Sequence, residues 1–347
     1  MSRRARSASR SSASKDRADP SQPLRPNSLG AAAAAETVPE ACVLCGAEAA
    51  TPLFAARDRL HGLPGQFWIV RCAWCALLRT SPRPTGAALS AYYPDDYAPH
   101  REAGDERGGS APGAGSPLRD RLRRWLGTRR IWWIPDLPPR ARVLELGSGS
   151  GHFVRVALAR GWEVHALEPA KRPAARLARD ACVHVHQEPA ETFDLPPASL
   201  DAVFAWMVVE HLENPLVVLR KIRSALRPGG YFVFSVPNAR SWEFAVFRSR
   251  WYGLDVPRHL WHFTPRTLAR LLGVSGFRVE RVFHQKVLKN LTGSLEYLAL
   301  DRPTLAWVAR ALERALTPPW VSFTLGAALA AARQGGRITV VARAADG

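Results

Sequence analysis

From about residue 142 onward, short apolar runs alternate with segments in which apolar residues recur every three or four positions. The runs at 143–146, 163–167, 183–185, 202–206 and 231–236 are too short for helices and little interrupted by polar residues, so they predict buried strands. Strands separated by helical segments imply an α/β architecture, a parallel sheet with helices on both faces. Two later β-rich runs, 277–283 and 337–342, predict a terminal pair added to that sheet. Between them lies a helical insertion, about 290–335, with apolar stretches at 305–315 and 320–331.

The first part of the chain lacks this pattern. Residues 1–38 are rich in Ser, Arg, Ala and Pro without apolar periodicity, which predicts a disordered basic tail. Asp16, Asp19 and several prolines argue against a transit peptide. A small unit follows at 39–85, then a linker and helical segment at 86–136 whose stretch 102–117 is dominated by Gly, Ala, Pro and Ser. The large domain is 137–347.

Composition narrows the classes. With 347 residues and 47% hydrophobic content the chain is globular and long enough for about two domains. Its 48 Lys+Arg against 30 Asp+Glu give a net charge of +18, which invites a nucleic-acid reading. The basic residues are almost all arginine in an alanine-rich chain, so a solvated arginine-rich surface is the reading preferred over a phosphate-binding face. The longest uncharged apolar stretch, 315–332, is broken by Thr317, Pro318, Pro319, Ser322 and Thr324, and the N-terminus shows no signal-peptide apolar region. A cytoplasmic protein is expected.

The segment Val143-Leu144-Glu145-Leu146-Gly147-Ser148-Gly149-Ser150-Gly151-His152-Phe153 reads as a buried strand, a glycine-rich turn and a helix start. Glycines let the backbone come close to a ligand, and a helix N-terminus offers unpaired N–H groups. The GxGxG spacing, with Glu145 two residues ahead, differs from the GxGxxG that seats a pyrophosphate. Glu168 ends the next strand, where a carboxylate can accept both hydrogens of a ribose diol.

Four more segments complete a recognisable order: 199–203 (SLDAV), 209–212 (VEHL), 226–230 (LRPGG) and 235–238 (SVPN). Together with the glycine loop they resemble the class I S-adenosylmethionine-dependent methyltransferases over roughly 137–285 plus the last strand. That resemblance implies a doubly wound Rossmann-like sheet, mostly parallel with the last strand antiparallel. It implies that Glu145, Gly147, Ser148, Gly149, Gly151, His152 and Phe153 surround the methionine moiety, and that Glu168 and Pro169 hold the ribose. Trp206 or Met207 would line the other side. Pro189 stands where many members place an acidic residue for the adenine amine, with Glu188 and Glu191 beside it.

Cys42-x-x-Cys45 and Cys72-x-x-Cys75, 26 residues apart, match a closed tetrahedral zinc site, in a zinc-ribbon-like module. A redox dithiol pair and four unconnected core cysteines are the competing readings. Four thiolate ligands leave no open position, so such a zinc is structural. The glycine-rich linker suggests that the unit folds independently of the large domain, and Cys182 is expected to be an ordinary buried thiol. The unit, with 67–72, 81–84 and 92–97, looks like the cysteine-paired module ahead of many bacterial methyltransferases of this kind, which often accompany surface-polysaccharide or secondary-metabolite pathways.

Methyl transfer from a sulfonium is an in-line displacement, helped by a base when the acceptor is a hydroxyl. Glu210 and His211 follow the fourth strand, and His259 and His262 precede a helix expected to begin near Pro265 with Thr264 as its N-cap. These four are the candidate catalytic residues. The Asn/Asp-Pro-Pro-Tyr/Phe segment of enzymes that methylate amines of bases is replaced by Ala205-Trp206-Met207-Val208, which disfavours amino methylation of DNA. The sequence thus points to O- or C-methylation of a sugar, lipid-linked glycan or small metabolite. An RNA methyltransferase gripping phosphates with the cysteine module and basic tail is an alternative, and a silent scaffold another. The helical insertion suits a lid, a dimer surface or an interfacial helix; oligomeric state is open.

Overall fold

A computed structural model of the chain describes residues 41–94 and 133–345. Its larger sheet has seven strands: β4 (Arg142–Leu146), β5 (Glu163–Leu167), β6 (Val183–His186), β7 (Leu200–Trp206), β8 (Leu226–Pro237), β10 (Phe277–His284) and β11 (Arg337–Ala344). Their order is β10-β11-β8-β7-β4-β5-β6. The five strands from β4 to β8 run parallel, whereas β11 is antiparallel to both β8 and β10. This is the doubly wound, Rossmann-like sheet with an antiparallel last strand.

Apolar residues on one face of β4 and β7, Leu144, Leu146, Val203 and Ala205, join one core cluster, while Val143, Ala202 and Phe204 join another on the opposite face. Alternate side chains feed two cores, so each central strand reads as a continuous apolar run. Helices α2 (His152–Leu158), α3 (Lys171–Leu177), α4 (Pro215–Ala225) and α6 (Pro265–Val274) connect the strands. Asn214 accepts from Val217 N–H at the start of α4, and Thr264 caps α6 in a reciprocal pair with Thr267, both followed by Pro. Helix α5 (Trp242–Phe247) follows β8, and the insertion comprises α7 (Lys289–Asp301), α8 (Ala306–Leu316) and α9 (Pro319–Ala331).

The second sheet corrects the expectation of an independent N-terminal unit. Strands β1 (Ala50–Ala56), β2 (Phe67–Cys72) and β3 (Leu78–Ser81) form an antiparallel meander, followed by the short helix α1 (Gly86–Ser90). The fourth strand, β9 (Trp261–His262), comes from the large domain and pairs with β3. Cys42, Leu44, Cys72, Cys75 and Leu77 share a core cluster with Leu212, Leu260 and Trp261. The two units therefore share a sheet and a core. Cys182 is also corrected: it is exposed at the turn before β6, where its N–H is bonded to Asp180.

Candidate functional site

The glycine loop leaves the carboxyl end of β4 and opens α2. Gly147, Gly149 and Gly151 have φ of 64°, 45° and 69°, a region that side chains with a Cβ rarely adopt. At Gly147 space adds a second reason, because a Cβ would lie 2.7 Å from Val208 Cγ2. Val208 follows β7, so the loop touches the segment that carries Glu210 and His211.

Glu168 is buried at the end of β5. One carboxylate oxygen accepts from Gly149 N–H at 2.7 Å and the other from Ala170 N–H at 2.9 Å, and Arg176 donates to the Gly149 carbonyl at 2.8 Å. The loop is thus tied to the strand-end carboxylate. Glu145 is buried beneath it with Oε2 unpartnered, and burial together with the nearby Glu168 raises its carboxyl well above the ordinary range. Ser148 Oγ donates back to the Glu145 carbonyl.

His152 is exposed at the first turn of α2, whereas Phe153 is buried against Phe204 and Trp206, with ring centroids 4.5 and 5.3 Å away. Trp206 and Met207 are partly buried at the end of β7, and Met207 has a φ of 60°. Pro169 is exposed beside Glu168. Glu191 accepts the backbone N–H of Glu213 at 3.0 Å, which ties the segment after β6 to that after β7.

These features fit S-adenosylmethionine on the chain's own residues: a loop that admits close approach, a strand-end carboxylate for a diol, and an unpartnered buried carboxyl below the loop.

Three of the four candidate catalytic side chains converge. The His211 and His259 rings meet edge to face with centroids 4.6 Å apart, and His259 Nε2 lies 4.0 Å from Glu210 Oε1. Both Glu210 oxygens are buried without a hydrogen-bond partner, and burial pushes its carboxyl up to about 8. His259 Nδ1 lies 3.0 Å from the Gly253 carbonyl. A carbonyl only accepts, so Nδ1 carries the hydrogen and Nε2 of the neutral ring faces Glu210 and Asp255. Burial, then His211 and His262, hold His259 far below the usual histidine value.

His262 faces elsewhere, with Nε2 3.1 Å from Thr80 Oγ1, whose hydroxyl donates to the His259 carbonyl at 2.7 Å. Burial pushes His262 down to about 3.

Sequence reasoning missed most of what surrounds this group. Tyr93 places its hydroxyl 2.9 Å from His211 Nδ1, and Thr80 holds the backbone of His259, so the N-terminal unit supplies one wall. Arg258 is fully buried and donates to both oxygens of Asp58 (3.0 and 2.7 Å), twice to Asp255 Oδ1 (3.0 and 2.7 Å) and to the Tyr92 carbonyl (2.9 Å). On the opposite side β11 starts at Arg337, whose Nε donates to Asn290 of α7 at 3.0 Å. Arg337 lies close enough to lower the Glu210 and Glu243 carboxyls electrostatically, although burial leaves Glu243 raised to about 7. No local pattern in the sequence signals these partners, which lie far from His211 and Arg258 along the chain.

The four cysteines also meet. Cys42 and Cys75 Sγ are 3.4 Å apart, Cys45 and Cys72 Sγ 3.5 Å, and all four sulfurs lie within 4.8 Å of one another. Tetrahedral zinc with Zn–S near 2.3 Å puts sulfurs about 3.8 Å apart, so this set fits the ion. Each pair sits on the same turn: Gly46 N–H bonds the Cys42 carbonyl and Ala76 N–H the Cys72 carbonyl, with φ of 72° and 62°.

Fold and loop together resemble those of the class I S-adenosylmethionine-dependent methyltransferases. Residues 117–282 match the family model described as a methyltransferase domain. Among curated relatives, the malonyl-[acyl-carrier protein] O-methyltransferase of Serratia marcescens is 30% identical over 161 residues, 46% of this chain and 62% of that protein. The ubiquinone biosynthesis O-methyltransferase of Xanthomonas campestris pv. campestris (strain B100) is 33% identical over 114 residues, 31% of this chain and 48% of its own length. The chain therefore spans less than two thirds of these relatives. An S-adenosylmethionine-dependent methyltransferase structure from Mesorhizobium loti aligns with a TM-score of 0.42 at 21% identity, covering 65% of this chain and 99% of that one.

Proposed function

We propose that this chain transfers a methyl group from S-adenosylmethionine to a hydroxyl oxygen of a sugar, lipid-linked glycan or small-metabolite acceptor seated over Glu210, His211 and His259. The observation that carries this reading is the meeting of two imidazoles over a buried, unpartnered carboxyl, on a segment packed against the glycine loop. The O-methyltransferase names of the curated relatives support the choice of oxygen.

The cofactor, when bound, supplies a methyl group activated by its sulfonium. The chain's task is placement: Glu168 accepts the ribose hydroxyls, the glycine loop admits the methionine end, and the acceptor oxygen must come within about 3 to 3.5 Å of the methyl carbon. His259 is kept neutral by burial and fixed in one tautomer by Gly253, so Nε2 has a lone pair for the acceptor's proton. Alternatively His211, half-buried and steered by Tyr93, takes that proton and His259 positions it. Burial keeps Glu210 protonated near neutral pH, and it can donate toward Nε2 or the acceptor. His262, held by Thr80, braces this wall.

The test follows tritiated methyl transfer into small-molecule and RNA fractions of a cell extract. Label should enter the small-molecule fraction as a base-stable ether. His211→Ala or His259→Ala should lower the rate by about 100-fold with affinity for S-adenosylhomocysteine nearly unchanged. Labelling of RNA alone, cofactor binding without any transfer, or both variants at full rate would overturn the proposal.

The sulfur geometry supports a second part of the reading, one structural zinc held by Cys42, Cys45, Cys72 and Cys75. Metal analysis should find one zinc per chain, lost in Cys72→Ser. Because the cysteine unit supplies a wall of the acceptor side, that loss should reduce methyl transfer more than cofactor affinity. Protein purified without chelator yet free of zinc would refute the assignment.

A further inference from the structure

The insertion between β10 and β11 carries apolar surface that the fold does not cover. Leu300, Leu305, Trp307, Leu312, Trp320 and Phe323 are exposed, and Trp307 and Trp320 keep 74% and 72% of their surface in solvent. Elsewhere exposed large apolar residues are scattered; here six fall within residues 300–323. Apolar surface concentrated in this way marks an interaction site.

Helical periodicity places these residues on outward stripes. In α8 the outward positions Trp307, Ala311, Leu312 and Ala315 fall on one arc of the helix, and only Ala309 is fully buried. In α9, Pro319–Ala331, there is no charged residue, Gly326 alone is fully buried, and Trp320, Phe323, Thr324, Ala328 and Ala331 are exposed at three- and four-residue spacing. A soluble surface helix normally turns charges outward; α9 turns only uncharged groups outward, and α8 sets an indole and aliphatic side chains beside Arg310 and Arg314.

Charge selects the partner. The exposed charged residues of the stretch 302–333 are Arg302, Arg310, Arg314 and Arg333; Glu313 is partly buried. Asp301, just before this stretch, is engaged by Arg59 and Arg250 at 2.7 and 2.9 Å. Outward tryptophans beside exposed arginines match the interface of a bilayer with acidic lipids, where indoles settle at headgroup level and cations are drawn to the charged surface. No helix among the described residues is long and apolar enough to cross a membrane. From these observations we infer that α8 and α9 form a monotopic docking surface that lies in the face of an anionic lipid bilayer. The inference stands on the insertion alone, whatever the acceptor.

The test is binding of the full chain to unilamellar vesicles of phosphatidylcholine, with and without 30 mol% (about one lipid in three) phosphatidylglycerol. Co-sedimentation reads binding, and quenching of tryptophan fluorescence by brominated acyl chains reads depth. Expected is binding favoured by phosphatidylglycerol, with quenching that Trp307→Ser/Trp320→Ser abolishes together with a loss of roughly tenfold or more in partitioning. Arg310→Glu/Arg314→Glu should weaken binding to acidic vesicles selectively. Retained affinity for S-adenosylhomocysteine confirms that the variants are folded. Three results would overturn the inference: no binding to acidic vesicles at low salt, binding unchanged in the tryptophan pair, which would place the contact on the basic tail, or a vesicle-independent dimer that the tryptophan pair dissolves.

Discussion

Replacing Arg258 by Met tests how the two units are joined. The guanidinium is buried between Asp58 of the N-terminal unit and Asp255 of the large domain, and it donates five hydrogen bonds. Methionine fills much of the volume but leaves both carboxylates without their cation. Breaking a buried pair from one side costs about 3–5 kcal/mol, a large part of the 5–15 kcal/mol that typically holds a domain folded. Burial already raises the Asp255 carboxyl against the pull of Arg258. With the guanidinium gone, the Asp255 carboxyl should rise further above its unfolded value of about 3.9. The folded variant then binds more protons than the unfolded chain, so its stability falls as pH rises and the deficit is larger at pH 8 than at pH 5. Urea titrations followed by tryptophan fluorescence at both pH values measure it. Asp58→Asn, which leaves Arg258 its bonds to Asp255, should lose less, about 1.5–3 kcal/mol. Arg258→Met within about 1 kcal/mol of wild type at pH 8, or a deficit independent of pH, would refute the reasoning.

Three further outcomes are expected. Glu168→Ala should weaken binding of S-adenosylhomocysteine by about 1.5–3 kcal/mol in calorimetry, and tight binding of NAD with none of S-adenosylhomocysteine would contradict the choice of S-adenosylmethionine over a dinucleotide. Ala76→Gly should raise stability by roughly 0.5–1 kcal/mol, because Ala76 occupies the left-handed conformation that Gly46 occupies in the matching turn; a lower melting temperature would count against that equivalence. Glu210, raised to about 8 in the fold, should cost the wild type stability relative to Glu210→Gln as pH climbs from about 5 toward 8, by up to about 1.4 kcal/mol per unit, and parallel stability curves would show that the carboxyl is solvated.

The central strands of the larger sheet were legible because burial on both faces writes itself as short apolar runs, and all seven β-rich runs became strands. The glycine loop and the Thr264 cap were legible for a similar reason: local backbone demands appear in local sequence. The partners of His211, Arg258 and His262 were not. Tyr93, Asp58 and Thr80 lie more than a hundred residues earlier, and no periodicity ties a buried aspartate to an arginine 200 positions away. The two-residue strand β9 has no pattern of its own; its pairing with β3 is a tertiary fact. The glycine-rich linker suggested a boundary where the chain's contacts run across.

The shared sheet changes what counts as an exchangeable piece of this protein. A cut at the linker would divide one cluster of contacts in two, leaving His259 and His262 without Thr80, His211 without Tyr93 and Arg258 without Asp58. Chimaeras that graft the first 94 residues of one such protein onto the methyltransferase sheet of another should fold and turn over only when the β9 segment travels with its partner strand. Recombination that keeps the two together would move the surroundings of His211 and His259 from one sheet to another as one cassette.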